Sequence, residues 1–192
     1  MTHPNAVLTA SLMLAIASGC DQGHGSLAGD YLEVADCARP GEMTRIEPFE
    51  LDLQFLSVQA TLGVTVMRMS PDAALANLAD QVGISITKAA ELKLATEASQ
   101  RTFELRADGT GEAELTLALM KRCRYASASL VAVGTITFKD WGWRGGQRVR
   151  GSMAFDLVDR RTGALVGTNF TGDFDFESKT GSPYTPFAPI NY

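Results

Sequence analysis

The last third of this chain alternates apolar and polar side chains, and that pattern dictates its local backbone. In "GDFDFES" the rings of Phe174 and Phe176 are interleaved with Asp173, Asp175 and Glu177. A period of two is what a strand produces, because successive side chains leave opposite faces, whereas a helix repeats every 3.6 residues. "LVAVGTITF", "RVRGSMAFDLV" and "ALVGTNFTGDFDFES" therefore read as three successive strands. Their connections are the longer "KDWGWRGGQ" and the tight "DRRTG", in which Gly163 is expected to be left-handed.

Earlier segments follow the same rule. "FELDLQFLSV" sets Phe49, Leu51, Leu53 and Phe55 against Glu50, Asp52 and Gln54, and "TLGVTVMRM" follows with Val64 and Val66. "TFELR" and "EAELTLALM" flank "ADGTG", and Asp-Gly between alternating runs predicts a hairpin with Gly109 at positive φ. Between Ser70 and Ser99 the pattern is divided. "SPDAALANLADQVG" offers Ser70 as N-cap, Pro71 at the first helical position, Asp72 in the first turn, Leu75, Leu78 and Val82 at helical spacing and Gly83 as a stop. A turn followed by a strand through Val82, Ile84 and Ile86 fits the same residues, and "AAELKLATEA" is equally divided.

About seven to nine short-looped strands imply a mainly β fold, an antiparallel β-sandwich or a small closed barrel, with at most one or two short helices. With 192 residues, 45% of them hydrophobic, the chain holds one domain, assigned to residues 30–192. An outer-membrane barrel would need strands of about ten alternating residues with aromatic girdles. Here polar and basic residues interrupt the outward positions, which favours a soluble sandwich.

The N-terminus carries a different signal. "MTHPNAVLTASLMLAIASGC" has no acidic residue, and its apolar run from Ala6 to Ala17 is shorter than the ~20 residues that a bilayer-spanning helix needs. It reads as a cleaved signal segment, residues 1–19. "AIA", Ala15–Ala17, suits an ordinary signal peptidase and would release a secreted protein. "ASGC", Ala17–Cys20, resembles the lipobox of bacterial lipoproteins, in which small residues precede a cysteine that is lipidated and becomes the mature N-terminus. The polar "DQGHGSLAGD" that follows reads as a flexible tether, so residues 20–29 are assigned to it.

Cysteine arithmetic bears on this choice. Cys20, Cys37 and Cys123 are an odd set for an exported chain. Lipidation of Cys20 leaves Cys37 and Cys123 as a disulfide pair closing a loop of 86 residues, worth about 4.5 kcal/mol in the chain-entropy view.

Charge and residue inventory narrow the chemistry. The net charge of −5 argues against nucleic acid as a partner. Residues 120–161 nonetheless hold 9 basic against 3 acidic side chains, either a patch for anionic headgroups or polysaccharide or the wet face of strands. The only histidines, His3 and His24, fall in the leader and the expected tether. Ser-His-Asp and Cys-His catalysis and His-bearing metal sites are thereby disfavoured. Phosphate-cradling loops and nucleophile elbows are missing as well. No catalytic residue, metal ligand or cofactor is assigned. Asp173, Asp175 and Glu177 keep a carboxylate-only glycan hydrolase open as the alternative function, although any amphipathic strand produces such acids. Trp141 and Trp143, beside Lys139 and Arg144 at a predicted loop, form a candidate binding surface for sugar rings or a membrane interface. "GSPYTPFAPINY" is expected to lay Tyr184 and Phe187 over the domain as an extended cover.

"GTITF" followed by "VRGSMAFDLVDRRTGALVGTNFTGDFDFE", together with the leader, resembles cell-envelope lipoproteins of unknown function such as those numerous in myxobacteria. The resemblance implies a lipid-anchored envelope location, at the outer membrane or the periplasmic face, and no activity. The expectation is a non-enzymatic binding or structural module, held to the membrane by its lipid and meeting envelope polysaccharide or anionic headgroups. A secreted carbohydrate-binding protein is the variant that cleavage after Ala17 would give.

Overall fold

A computed structural model describes residues 22–34, 45–61, 63–73, 78–120, 130–142, 144–181 and 184. The predicted leader, Cys20, Cys37, Cys123, Trp143 and Phe187 lie outside the described residues. Among those described, ten strands and one short helix form. They are β1 (Gly23–Val34), β2 (Arg45–Leu53), β3 (Phe55–Thr61), β4 (Val64–Ser70), β5 (Gln81–Ile86), α1 (Ala89–Leu92), β6 (Arg101–Leu105), β7 (Ala113–Ala118), β8 (Leu130–Trp141), β9 (Arg148–Asp159) and β10 (Leu165–Glu177). The strands make a single sheet in the order β2-β1-β10-β9-β8-β6-β7-β5-β4-β3. The fold is thus mainly β, as expected, and takes the form of one sheet rolled into a nearly closed barrel.

Closure follows from one segment of chain. β2 and β3, at the two ends of the strand order, are parted only by Gln54, so the run from 45 to 61 pairs with β1 in its first half and with β4 in its second. The inward phase changes where the partner changes. Phe49, Leu51 and Leu53 lie in the core, Leu56 joins them, and Phe55 lies outside that cluster, stacked on Tyr184 at 5.3 Å and facing the Arg68 guanidinium at 5.5 Å. Gln22 seals the seam: its Nε2 donates to the Leu56 carbonyl at 2.8 Å, and its Oε1 accepts from the Leu56 N–H at 2.9 Å. The register explains the fit. Gly25 faces Leu53, so Gln22 falls opposite Leu56, where its side-chain amide stands in for a strand peptide.

The barrel interior is filled. Phe103, Phe138, Phe170, Phe174, Leu115, Met67 and Ile84 are among the residues of one core. Bulk is balanced by glycine: Phe174 lies between Gly25 on β1 and Gly151 on β9. A Cβ on Gly151 would come within 2.5 Å of the Phe174 ring and 2.2 Å of the Thr137 carbonyl. Such glycine–aromatic neighbours let a strongly curved sheet accommodate large rings.

Three expectations are corrected. The stretch read as a tether is strand from Gly23 onward, paired with both β2 and β10. Its alternation was hard to see because glycines at 25 and 29 occupy inward positions around Leu27. The described residues between Ser70 and Val82 form no helix. Ser70 belongs to β4, and Val82, Ile84 and Ile86 are the buried positions of β5, so the strand reading of those residues holds. "ADGTG" turns, with Gly109 at φ 74° and Asp108 accepting from the Thr110 N–H at 2.9 Å, yet its flanks do not fold back on each other. β6 and β7 run parallel, meet at Leu105 and Ala113, and both pair with β8. The turn is a loop between two segments that share one partner.

Candidate functional site

The outward face of β1, β6, β8, β9 and β10 carries an ordered array. Register aligns Ser26, Asp173, Ser152, Thr137 and Thr102 in one row across the five strands. The next row is Ala28, Thr171, Ala154, Thr135 and Glu104. These are the outward members of each alternation, whose partners fill the barrel. All of these but Thr102 and Glu104, at the β6 end of the rows, line an open trough of about 480 Å³. The Ser26 hydroxyl donates to Asp173 at 3.1 Å, and the hydroxyls of Thr102 and Thr137 are 2.9 Å apart. Small side chains keep the trough low, so hydroxyls, methyls and one carboxylate face solvent at strand spacing, about 4.8 Å across and 6.8 Å along.

Charged rows bound the trough. On one side His24, Asp175, Arg150 and Asp140 align. Arg148 grips Asp175 with two guanidinium hydrogen bonds, and Arg150 reaches Asp140 at 2.7 Å and Glu97 at 3.0 Å. The hydrogen bonds from Arg148 hold the Asp175 carboxyl below its ordinary range against the opposing effect of partial burial. On the other side Asn169 sits at φ 55°, a conformation L-residues rarely adopt but Asn tolerates. Its N–H donates to Asp156 at 2.8 Å and its Nδ2 to Asp30 at 2.5 Å. That network fixes the bulge in β10 between Gly167 and Phe170.

The residues singled out by sequence are distributed differently. Trp141 packs half-buried against the core, edge-on to Phe138 at 5.5 Å. Lys139 is half-buried at the bulge in β8 beside it, and Arg144 is exposed in the β8–β9 hairpin. Several cations of the basic stretch meet carboxylates: Arg148 and Arg150 as above, Arg160 with Glu114 at 2.7 Å and Arg161 with Asp159 at 3.5 Å. Lys121, Arg122 and Arg124 lie outside the described residues. Asp173, Asp175 and Glu177 run along the open face of one strand, with Asp175 engaged by Arg148. Among the described residues no three of His, Cys, Asp and Glu gather closely enough to hold a metal ion. No helix among them is long and apolar enough to cross a membrane.

Sequence reasoning missed the trough. Its outward positions were readable as the polar half of each alternation, but the lateral register that joins residues as distant as Ser26 and Asp173 was not. No family model, curated protein or solved structure matches the chain. Its chemistry has to be argued from its own geometry.

Proposed function

We propose that the protein is a non-enzymatic envelope lipoprotein, anchored through an acylated Cys20, whose barrel binds polysaccharide along the outer trough. The observation that carries the reading is the low array of hydroxyl and methyl groups around a single carboxylate, Asp173, on the outside of a barrel whose interior is occupied by its own side chains. A glycan chain presents alternating hydroxyls and C–H faces, and the rows at Ser26–Thr102 and Ala28–Glu104 offer matching donors, acceptors and methyls. Asp173 supplies the one strong acceptor in the middle of the array. The lipobox-like "ASGC" ends three residues before β1 begins at Gly23, which suits a mature chain that starts at Cys20.

Two measurements test it. Mass spectrometry of the mature N-terminus should find an acylated Cys20; a free Ser18 or an intact Met1 overturns the anchor. Affinity electrophoresis in isolated envelope polysaccharide should retard the protein. Ala154→Arg, an exposed position in the trough, should weaken retention at least tenfold without unfolding the barrel. Absence of retardation, or equal retardation of the variant, overturns the glycan reading.

A further inference from the structure

The sequence places Cys20 two positions before Gln22, and Gln22 is fixed. It is 4% exposed, its side chain is bonded to Leu56 in both directions, and its carbonyl accepts from the Glu177 N–H at 2.6 Å. It cannot swing away from the barrel without breaking these bonds. An extended chain spans at most about 3.5 Å per residue, so the Cα of Cys20 lies within roughly 7 Å of that of Gln22.

The β8–β9 hairpin ends at the same place. Gly146 N–H donates to the Ser178 carbonyl at 2.9 Å, Ser178 N–H to the Gln147 carbonyl at 2.7 Å, and the Ser178 hydroxyl to the Gly142 carbonyl at 2.7 Å. Gln22, the hairpin and the end of β10 are therefore one hydrogen-bonded end of the barrel. Arg144 and Arg148 are exposed on it. The β9–β10 hairpin, closed by Gly163 N–H to the Asp159 carbonyl at 2.7 Å, caps the opposite end of the same strands.

We infer that the end bearing Gln22 and the β8–β9 hairpin is a membrane-docking face, seated against phospholipid headgroups by the short link to Cys20. The inference rests on acylation of that cysteine. The occupant follows from length: acyl chains in a bilayer hold Cys20 at headgroup level, and one intervening residue, Asp21, leaves no room for a layer of protein between the barrel end and the lipid. The exposed guanidinium of Arg144 then faces phosphate oxygens, while Arg148 beside it keeps its bonds to Asp175. β10 has 13 residues; at about 3.3 Å per residue and a tilt near 40°, the opposite hairpin stands roughly 30 Å from the surface. The strands carrying the trough are thereby held upright, with the trough on the flank, clear of the bilayer.

The test uses the full lipoprotein extracted from membranes and reconstituted in phosphatidylglycerol–phosphatidylethanolamine vesicles. A fluorescent amino acid is placed at residue 145 or at residue 162, both exposed at hairpin tips, and quenched by headgroup-labelled nitroxide lipid. A Cβ at Gly145 meets only Thr180 side-chain atoms, the nearer at 3.6 Å, so the substitution is accommodated. Quenching should be at least fivefold stronger at 145 than at 162. A spacer of about 20 Gly/Ser residues between Asp21 and Gln22, some 25 Å in root-mean-square length, should bring the ratio close to one. Equal quenching at the two tips, or a ratio that survives the spacer, overturns the inference. Mass spectrometry of the same sample separates the causes. A chain without acyl mass refutes the anchor itself, whereas acylated protein with equal quenching refutes only the docking face.

Discussion

Replacing Gln22 by alanine should open the seam of the barrel. The side chain satisfies both backbone groups of Leu56, at 2.8 and 2.9 Å, and Leu56 is 1% exposed. Leaving a buried donor or acceptor unmet costs about 1–3 kcal/mol each. Release of the ordered glutamine side chain returns up to about 1.5–2 kcal/mol of entropy, so a net loss of about 2 kcal/mol, the middle of a span of roughly 0.5–4, is expected. With a urea slope of about 2 kcal/mol per molar, the unfolding midpoint of the mature chain should fall by roughly 1 M. Gln22→Glu is the sharper variant. It keeps the acceptor for the Leu56 N–H but turns a carboxylate oxygen toward the Leu56 carbonyl, which raises the folded pKa of the new acid above its unfolded value near 4.3. A group with a raised folded pKa contributes its stability below the unfolded pKa and loses it as pH rises through the folded one. This variant should therefore approach wild type in acid and fall behind it toward neutrality. A Gln22→Ala midpoint within about 0.5 kcal/mol of wild type would refute the claim that this amide closes the sheet.

The interior and the charged border give two further expectations. Gly151→Ala would push a methyl into the Thr137 carbonyl and the Phe174 ring, so thermal unfolding should report a loss of about 1–3 kcal/mol; an unchanged midpoint would mean that β9 and β10 separate freely. Arg148→Ala removes the hydrogen bonds that lower the Asp175 pKa, so the Asp175 carboxyl titration followed by NMR should shift upward. Because a depressed folded pKa contributes stability only above the unfolded value, the difference between Arg148→Ala and wild type should shrink as pH falls through the Asp175 titration. A difference that grows in acid contradicts the pairing.

Much of the strand content was legible because alternation is local. Phe174 and Phe176 face the core and Asp173 and Asp175 face out along β10, and Gly163 adopts φ 70° in the tight turn before it. Where local signals were divided or weak, tertiary pairing decided. Val82 served a helix and a strand equally well until Leu117 and Met69 took it as a partner. The first half of β1 presents one bulky inward residue, Leu27, among glycines, because the Phe170 ring occupies the space that a side chain at Gly29 would need, and the Asp173 carbonyl and the Phe174 Cα and Cβ crowd Gly25. A strand whose inward bulk is supplied by its neighbours looks like a linker when read alone.

The candidate site divides along the same line. The two-residue period, the inventory of side chains and the small-residue approach to Cys20 are readable without coordinates, since each is a property of adjacent positions. That Gln22 fastens the chain two residues after that cysteine, and that Ser26, Asp173, Ser152, Thr137 and Thr102 form one row, emerges from strand pairing alone. Register is set by which strands meet around the barrel, and the pairing of β1 with β10 joins residues 147 apart in the Ser26–Asp173 contact, a relation that no local pattern encodes.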